Sequence, residues 1–273
     1  MSEVFALERS VLEGFCRGAG SILLRGFGKD HARIEKPEAG FVTAADLEAE
    51  AFLLGAIDEA FPGSAILSEE AGTKNPGAPL RWIIDPLDGT TNYANGIPFF
   101  AVSLAVEAQG ELRQGVVFNP VSKELFWAEH GGGAWLQDKR LQVGTKSELA
   151  EAVLATGDWY RRDPSFSHSW ARAGALYRAC RALRLTGSVA LALAYTACGR
   201  FDAVWVEDYN PWDVAAGALL VREAGGVVTD FRGEAVQIGH HGPALLATSP
   251  ALHGVLAPLL RGGTMDDNSG RCC

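Results

Sequence analysis

The segment Trp82–Tyr93, WIIDPLDGTTNY, joins an apolar run to two carboxylates and a glycine. The apolar part is typical of a buried strand, and Asp85 and Asp88 stand at its end. Burying one unpartnered carboxylate is costly, and burying two side by side costs more unless a cation lies between them. The segment therefore predicts a cation site at the end of a buried strand, with further ligands elsewhere in the chain.

The composition is that of a globular protein with a sizeable core. The 273 residues are 48% hydrophobic and carry a formal net charge of −9. The chain has no long run of Lys or Arg, which argues against a protein that binds the phosphate backbone of nucleic acids. An acidic protein that handles an anionic substrate needs bound cations or a local basic pocket. We therefore expect no nucleic-acid partner.

Other sequence features favour a soluble, cytoplasmic chain with no membrane partner. The start, MSEVFALERS, lacks the basic and then apolar layout of a signal peptide. The longest apolar stretch, Val189–Cys198, is too short to span a bilayer. The cysteines are scattered without metal-ligand spacing and are expected to be reduced thiols; they are Cys16, Cys180, Cys198, Cys272 and Cys273.

Residues 1–145 are predicted to form an N-terminal α+β half. Apolar residues at helical spacing predict a first helix over residues 4–25. A second helix is expected after Thr43, because Asp46 three residues later completes a capping box, and Pro62-Gly63 should end it.

The rest of this half is predicted to be mostly β-structure. The stretch SAILSEEAG reads as a short strand that delivers Glu69 and Glu70. From Phe99 to Val143, strand-like runs alternate with turn residues, which is typical of an antiparallel meander.

Residues 146–262 are predicted to form an α/β half, because short strands alternate with helices. The predicted helices include SHSWARAGALYRACRAL (167–183), VALALAYTACG (189–199) and PWDVAAGALLVREAGG (211–226). The closing residues, 263–273, have no pattern and are predicted to be a mobile tail.

Four carboxylates, Glu69, Asp85, Asp88 and Asp213, lie at the ends of apolar strands or in the first turn of a helix. Oxygen ligands without His or Cys nearby suit Mg²⁺ or Mn²⁺ rather than Zn²⁺. Such ions can hold a phosphate, activate a water and stabilise a leaving oxygen. The pattern thus predicts metals that serve a phosphate group, whose oxygens the free N–H groups after Asp88 could also bind.

The motifs WIIDPLDGTTNY and PWDVAAGALLVREAGG together resemble both signatures of the inositol monophosphatase family of Mg²⁺-dependent phosphatases. GFVTAAD and LSEEAG match two further blocks of that family in the right order, and the resemblance extends from about residue 4 to residue 260. It implies a layered α-β-α-β-α sandwich of the inositol monophosphatase and fructose-1,6-bisphosphatase type. It also implies a homodimer, lithium sensitivity and two or three Mg²⁺ ions, for which Mn²⁺ could substitute.

Carried over position by position, the resemblance implies roles for individual residues. Thr90, partnered by Asp46 and Glu69, would deprotonate the attacking water. The metal ligands would be oxygen donors, namely Glu69, Asp85, the carbonyl of Leu87, Asp88 and Asp213. The substrate contacts would be Asp88, Gly89, Thr90, Arg184, Gly187, Ser188, Glu207 and Asp213, with the N–H groups of Gly89 and Thr90 on the phosphate.

Two positions depart from the family pattern. Gly40 stands where many members have Asp. More important, members that act on inositol phosphates have a Glu seven residues before Asp213, and that position is Val206 here. Glu207 is the next residue, and a shift of one residue in a strand turns a side chain to the opposite face. A local bulge could bring Glu207 back to the pocket, so we count it as a candidate.

These features predict a phosphomonoesterase whose substrate is a small phosphorylated metabolite, with myo-inositol 1-phosphate as first choice. Histidinol phosphate, fructose 1,6-bisphosphate and nucleotide phosphates such as NADP or 3′-phosphoadenosine phosphates stay open. A non-catalytic regulatory relative is the alternative from another class. The segment HGGG (130–133) resembles the oxyanion-hole segment of esterases, but no G-x-S-x-G occurs in the chain, so we predict a hairpin turn there.

Overall fold

The computed structural model describes residues 7–29, 32–36, 40–157 and 166–262. Within these residues there are seven α-helices: α1 Arg9–Gly26, α2 Ala44–Ala60, α3 Thr90–Ala94, α4 Phe166–Ala179, α5 Val189–Ala197, α6 Pro211–Glu223 and α7 Pro250–Gly262. A 3₁₀ turn spans Leu149–Glu151. None of the helices in these ranges is both long enough and apolar enough to cross a bilayer.

The strands of the described residues form three sheets. The smallest pairs β1 Ile34–Glu35 with β2 Phe41–Val42. The largest has eight strands, β3 Ala65–Ser68, β4 Gly72–Lys74, β5 Leu80–Asp88, β6 Ala101–Ala108, β7 Glu111–Asn119, β8 Glu124–Glu129, β9 Gly133–Leu136 and β10 Lys139–Arg140. The third has five strands, β11 Val153–Thr156, β12 Ala182–Leu185, β13 Ala203–Tyr209, β14 Val227–Thr229 and β15 Gly242–Thr248.

The eight-stranded sheet has the order β10-β9-β8-β7-β6-β5-β3-β4. From β5 to β10 neighbouring strands are antiparallel, and β6 to β10 form the predicted meander. Strand β3 runs parallel to β5, with Ser68 opposite Ile84. The five-stranded sheet has the order β12-β11-β13-β15-β14, and its β11 is parallel to both neighbours. Residues 141–152, around the predicted boundary at 145, connect the two sheets.

The helices complete five layers. Helices α1 and α2 cover the outer face of the eight-stranded sheet, and α4 and α7 cover the outer face of the five-stranded sheet. Between the sheets lie α5 and α6, which are apolar on nearly all sides, as expected of helices with sheets on both faces. They approach closely, because a Cβ on Gly217 would lie 2.4 Å from that of Leu193. The predicted α-β-α-β-α sandwich is confirmed.

Three elements differ from the sequence predictions. Helix α4 ends at Ala179 rather than near residue 183, because Ala182 already pairs with Val153 in a parallel ladder. Strand β15 and helix α7 were not predicted, although β15 is the central partner of β13 and β14. The predicted mobile tail, 263–273, lies outside the described residues.

Candidate active site

The topology brings the carboxylates of the Trp82–Tyr93 segment next to Glu69. Strand β5 carries Asp85 and Asp88 at its C-terminal end, and Glu69 directly follows the neighbouring parallel strand β3. The Glu69 N–H donates to the carbonyl of Ile84 at 3.2 Å. Carboxyl ends of adjacent parallel strands meet at one sheet edge, so the two ends present their acids to the same region.

The fourth carboxylate, Asp213, comes from the central helix layer. Asn210 caps α6, and the N–H of Asn210 donates to Asp213 Oδ2 at 3.1 Å in a capping box. Pro211 at the first helical position has the φ that a helix start requires. The sequence Asn-Pro-Trp-Asp therefore fixes Asp213 in the first turn of a helix that packs on the eight-stranded sheet.

The four acids influence one another's ionisation. Burial raises the pKa of Asp85 well above its ordinary value, and Glu69, Asp88 and Asp213 raise it further through repulsion. Burial also raises the pKa of Asp213, with additional repulsion from Glu69 and Asp88. Burial raises the pKa of Asp88 to about 6, although three hydrogen bonds oppose the shift. These carboxylates lie close enough together to oppose each other's ionisation, which is the situation that a bound cation relieves.

Most oxygens of this cluster contact protein donors. The Leu87 N–H donates to Asp85 Oδ1 at 2.9 Å, and Lys36 Nζ donates to Glu69 Oε1 at 2.7 Å. In the part of the chain that the structure describes, no three His, Cys, Asp or Glu side chains form a finished cation cage. Side-chain rotations are therefore needed before one ion can contact several of these acids. The donor set of carboxylates and a carbonyl, with shared excess negative charge, fits Mg²⁺ or Mn²⁺.

Thr90 and Asp46 form the hydrogen bond that the resemblance implies. Thr90 Oγ1 lies 3.0 Å from Asp46 Oδ1 and 3.2 Å from the carbonyl oxygen of Leu87. Asp46 Oδ2 accepts from the N–H and the hydroxyl of Thr43, at 2.9 and 2.5 Å. Asp46 thus caps helix α2 and holds Thr90 at once, so the structural and the catalytic interpretations of this residue are compatible. Burial raises the pKa of Asp46.

Gly89 makes the sharp turn from β5 into the short helix α3. Its φ is +99°, in the left-handed region that favours glycine. A Cβ at this position would also lie 3.1 Å from the carbonyl oxygen of Gly187 and 3.2 Å from the Cβ of Phe100. The backbone after Asp88 therefore passes the Gly187 loop at a distance that only glycine permits.

Ser188 and the first residues of α5 bind Asp88. The Ser188 hydroxyl donates to Asp88 Oδ2, the Val189 N–H to Oδ1 at 3.1 Å, and the Ala190 N–H to Oδ2 at 2.8 Å. A carboxylate at a helix N-terminus satisfies unpaired N–H groups and complements the helix dipole. The structure therefore brings Gly187 and Ser188 to the DGTT turn, across the boundary between the two sheets.

Two predicted substrate contacts are not brought to the acids. Arg184 lies exposed on β12, and its guanidinium donates to the carbonyl of Leu183 at 3.1 Å. Glu207 Oε2 accepts from Ser169 Oγ and Arg172 Nη1, both at 2.8 Å, on helix α4 of the outer layer.

Strand β13, which the structure describes in full, has no bulge that would turn Glu207 toward the pocket. The ladder between β13 and β15 is regular through Glu207, and the irregular residue is Asp208, whose φ is +55°. Alternation along the strand therefore turns Glu207 to the outer face, and Val206 to the inner one, beside Gly157. The expectation that Glu207 contacts the substrate gains no support from its position.

Lys36 contacts the site and was not among the residues predicted from the sequence. Its ammonium group bridges Glu69 and Glu70, with Nζ–Oε1 distances of 2.7 and 2.6 Å. These two neighbouring acids raise the pKa of Lys36, although burial opposes them. A single Lys between Glu35 and Pro37 carries no pattern that would have revealed this contact.

The segment HGGG is a turn, as predicted. Residues 130–132 connect β8 to β9, and Gly131 has a φ of +73°. The N–H groups of Gly131 and Gly133 donate to the two carboxylate oxygens of Glu223 at 2.9 and 3.0 Å. Because these donors already bind a protein carboxylate at the end of α6, they anchor a hairpin and do not form an oxyanion hole.

Comparison with known proteins agrees with the geometry. The model of the inositol monophosphatase family matches residues 8–264. The chain is 43% identical over 218 residues to an inositol-1-monophosphatase of Rhizobium meliloti (strain 1021), which covers 79% of this chain and 82% of that protein. It is 41% identical over 221 residues to the Nus factor SuhB of Escherichia coli (strain K12), with 80% and 82% covered.

Solved structures show the same fold. The extragenic suppressor protein suhB of Bartonella henselae superposes with a TM-score of 0.87 at 36% identity, covering 93% of this chain and 98% of that one. The IMPase of Thermotoga maritima superposes with a TM-score of 0.86 at 31% identity, covering 94% and 98%. These matches show that the chain belongs to the inositol monophosphatase family.

Proposed function

We propose that the protein is a Mg²⁺-dependent phosphomonoesterase that hydrolyses a small polyol phosphate, with myo-inositol 1-phosphate as the first candidate. One observation carries the proposal: the Thr90–Asp46 hydrogen bond lies at the end of a strand whose buried acids oppose each other's ionisation. The Thr90–Asp46 hydrogen bond can transfer a proton, and the buried acids need cations to balance their negative charge. A protein that only retained the fold would have no need of either.

The cations would be held by the oxygen donors Glu69, Asp85, Asp88, Asp213 and the carbonyl of Leu87. When bound, Mg²⁺ supplies positive charge that polarises the phosphate and lowers the pKa of a water. The N–H groups of Gly89 and Thr90, at the start of α3, would orient phosphate oxygens.

The chain's own proton path runs through Thr90. Its Oγ1 would accept a proton from the attacking water while it passes its own proton to Asp46 Oδ1, 3.0 Å away. Burial raises the pKa of Asp46, which makes this carboxylate a better proton acceptor than an exposed one. The raised pKa is thus matched to the task of a general base.

Phosphate release from a panel of phosphomonoesters in the presence of Mg²⁺ tests the proposal. The panel includes myo-inositol 1-phosphate, histidinol phosphate, fructose 1,6-bisphosphate, NADP and a 3′-phosphoadenosine phosphate. Fastest turnover of myo-inositol 1-phosphate would support the proposed substrate, and another preference would correct it. Because Glu207 faces α4, Glu207→Gln should leave the ranking of substrates unchanged.

A regulatory role without catalysis is the second candidate, because several relatives at 39–41% identity are named Nus factor SuhB. The same panel separates the two functions. Release of no phosphate from any ester, by a protein that still binds Mg²⁺, would favour the regulatory role.

A further inference from the structure

Glu50 is a buried carboxylate that the proposed chemistry leaves unused. It lies in helix α2, and only 6% of its surface is exposed. An ionised side chain that is buried in this way is costly unless several donors satisfy it. Its partners therefore indicate what it does.

The partners of Glu50 flank Glu69 on both sides. Glu50 Oε1 accepts from the Ser68 hydroxyl at 2.5 Å, the Glu70 N–H at 3.2 Å and the Ala71 N–H at 2.9 Å. These residues form the tight connection between β3 and β4, in which Ser68 pairs with Gly72 across the antiparallel ladder. The carboxylate of Glu50 thus binds the inside of the turn that carries Glu69.

Glu69 is thereby fixed relative to β5. Its N–H donates to the Ile84 carbonyl at 3.2 Å, one residue before Asp85. Glu50 holds the rest of the turn, whose Glu70 and Ala71 N–H groups would otherwise lack these bonds. A turn with all these donors engaged has little freedom to rotate Glu69 away from Asp85.

Asp46 and Glu50 lie four residues apart, so they share one face of α2. We propose that this face is a positioning surface, on which Asp46 orients Thr90 and Glu50 orients Glu69. Glu50 is then a positioning residue that sets the affinity of the carboxylate cluster for a divalent cation by holding the Glu69 turn. This inference rests on the proposed function, because it assumes that Glu69 binds the cation.

Two substitutions at position 50 and one control test this role. Glu50→Gln retains an acceptor oxygen of the same reach, whereas Glu50→Leu has similar size and no acceptor. Glu48→Leu is the matched control, since Glu48 is an exposed Glu on the same helix. Isothermal titration calorimetry with Mg²⁺ gives the cation affinity, and hydrogen exchange of a peptide that spans residues 65–75 reports on the turn.

Loss of an outer partner of a metal ligand weakens cation affinity by about 10- to 100-fold. We expect that loss in Glu50→Leu, together with faster exchange in the turn. We expect less than about tenfold weakening in Glu50→Gln, which the amide oxygen rescues, and no change in the control. In a Glu69→Gln background, Glu50→Leu should add almost nothing, because the residue through which it acts is already lost.

Results that refute the role of Glu50 differ from results that refute the proposed function. Equal Mg²⁺ affinity in Glu50→Leu and wild type, or full additivity with Glu69→Gln, would refute the inference and leave the proposed function intact. A wild-type protein that binds no divalent cation would refute the proposed function and this role together. If Glu50→Leu does not fold, Ser68→Ala removes one of the three donors, and Mg²⁺ affinity equal to that of the control would then count against the role.

Discussion

The burial of Asp88 predicts how the stability of the cation-free protein depends on pH. The test compares wild type with Asp88→Asn in EDTA, at pH 4 and at pH 7. Burial raises the pKa of Asp88 from 3.8 to about 6 in the folded protein. Between these values the unfolded chain has released the Asp88 proton while the folded protein still holds it. The wild type therefore loses stability as the pH rises through this window.

The magnitude follows from the size of the shift. A displacement of about 2 pH units, at about 1.4 kcal/mol per unit, amounts to about 3 kcal/mol. Asp88→Asn also disturbs the hydrogen bonds from Ser188 and the start of α5, but it does so at both pH values. The change between pH 4 and pH 7 in the difference of unfolding free energy therefore reports the Asp88 carboxyl group together with its repulsion of Asp85 and Asp213.

Urea denaturation at the two pH values measures both free energies of unfolding. We expect the variant to gain about 3 kcal/mol relative to wild type between pH 4 and pH 7. Saturating Mg²⁺ should raise the stability of the wild type at pH 7, because a ligand that binds only the folded state stabilises it. Parallel pH profiles of the two proteins in EDTA would refute the claim that burial raises the pKa of Asp88 in the folded protein.

Three further predictions concern catalysis and cation binding. Asp85→Asn should abolish phosphate release, and substantial activity would contradict the assignment of Asp85 as a metal ligand. The same variant should have a higher unfolding free energy than wild type in EDTA at pH 8, because a buried charge is removed. Thr90→Val removes the donor to Asp46 without changing the side-chain volume much, so kcat should fall by about 10²- to 10⁴-fold at unchanged Mg²⁺ affinity. Millimolar lithium should inhibit phosphate release, and insensitivity would point to a divergent cation site.

Much of the fold could be predicted from local patterns. The capping boxes at Thr43 and Asn210 rest on residues three positions apart, so the sequence itself carries the helix starts. The meander from β6 to β10 follows from alternating strands and turns. The layer order required more than local patterns, and the family resemblance supplied it. The end of α4 escaped prediction because pairing of Ala182 with Val153 overrides helix propensity there.

Site residues that belong to a motif could be predicted from the sequence. Site residues that make contacts distant in sequence could not. Asp85, Asp88 and Gly89 belong to one segment, and their burial and tight turn follow from it. Lys36 and Glu50 reach Glu69 or its turn from positions that no local pattern distinguishes. Homodimer formation, lithium sensitivity and a cytoplasmic location remain predictions of the sequence.

The proposed function requires that acids from two strands and one helix share divalent cations. Diffraction from crystals grown with Mn²⁺, recorded at a wavelength where manganese scatters anomalously, tests it most directly. Anomalous peaks are expected within about 2.0–2.6 Å of carboxylate oxygens of Glu69, Asp85, Asp88 and Asp213. Clear density for all four side chains with no such peak, at a Mn²⁺ concentration that supports phosphate release, would contradict it.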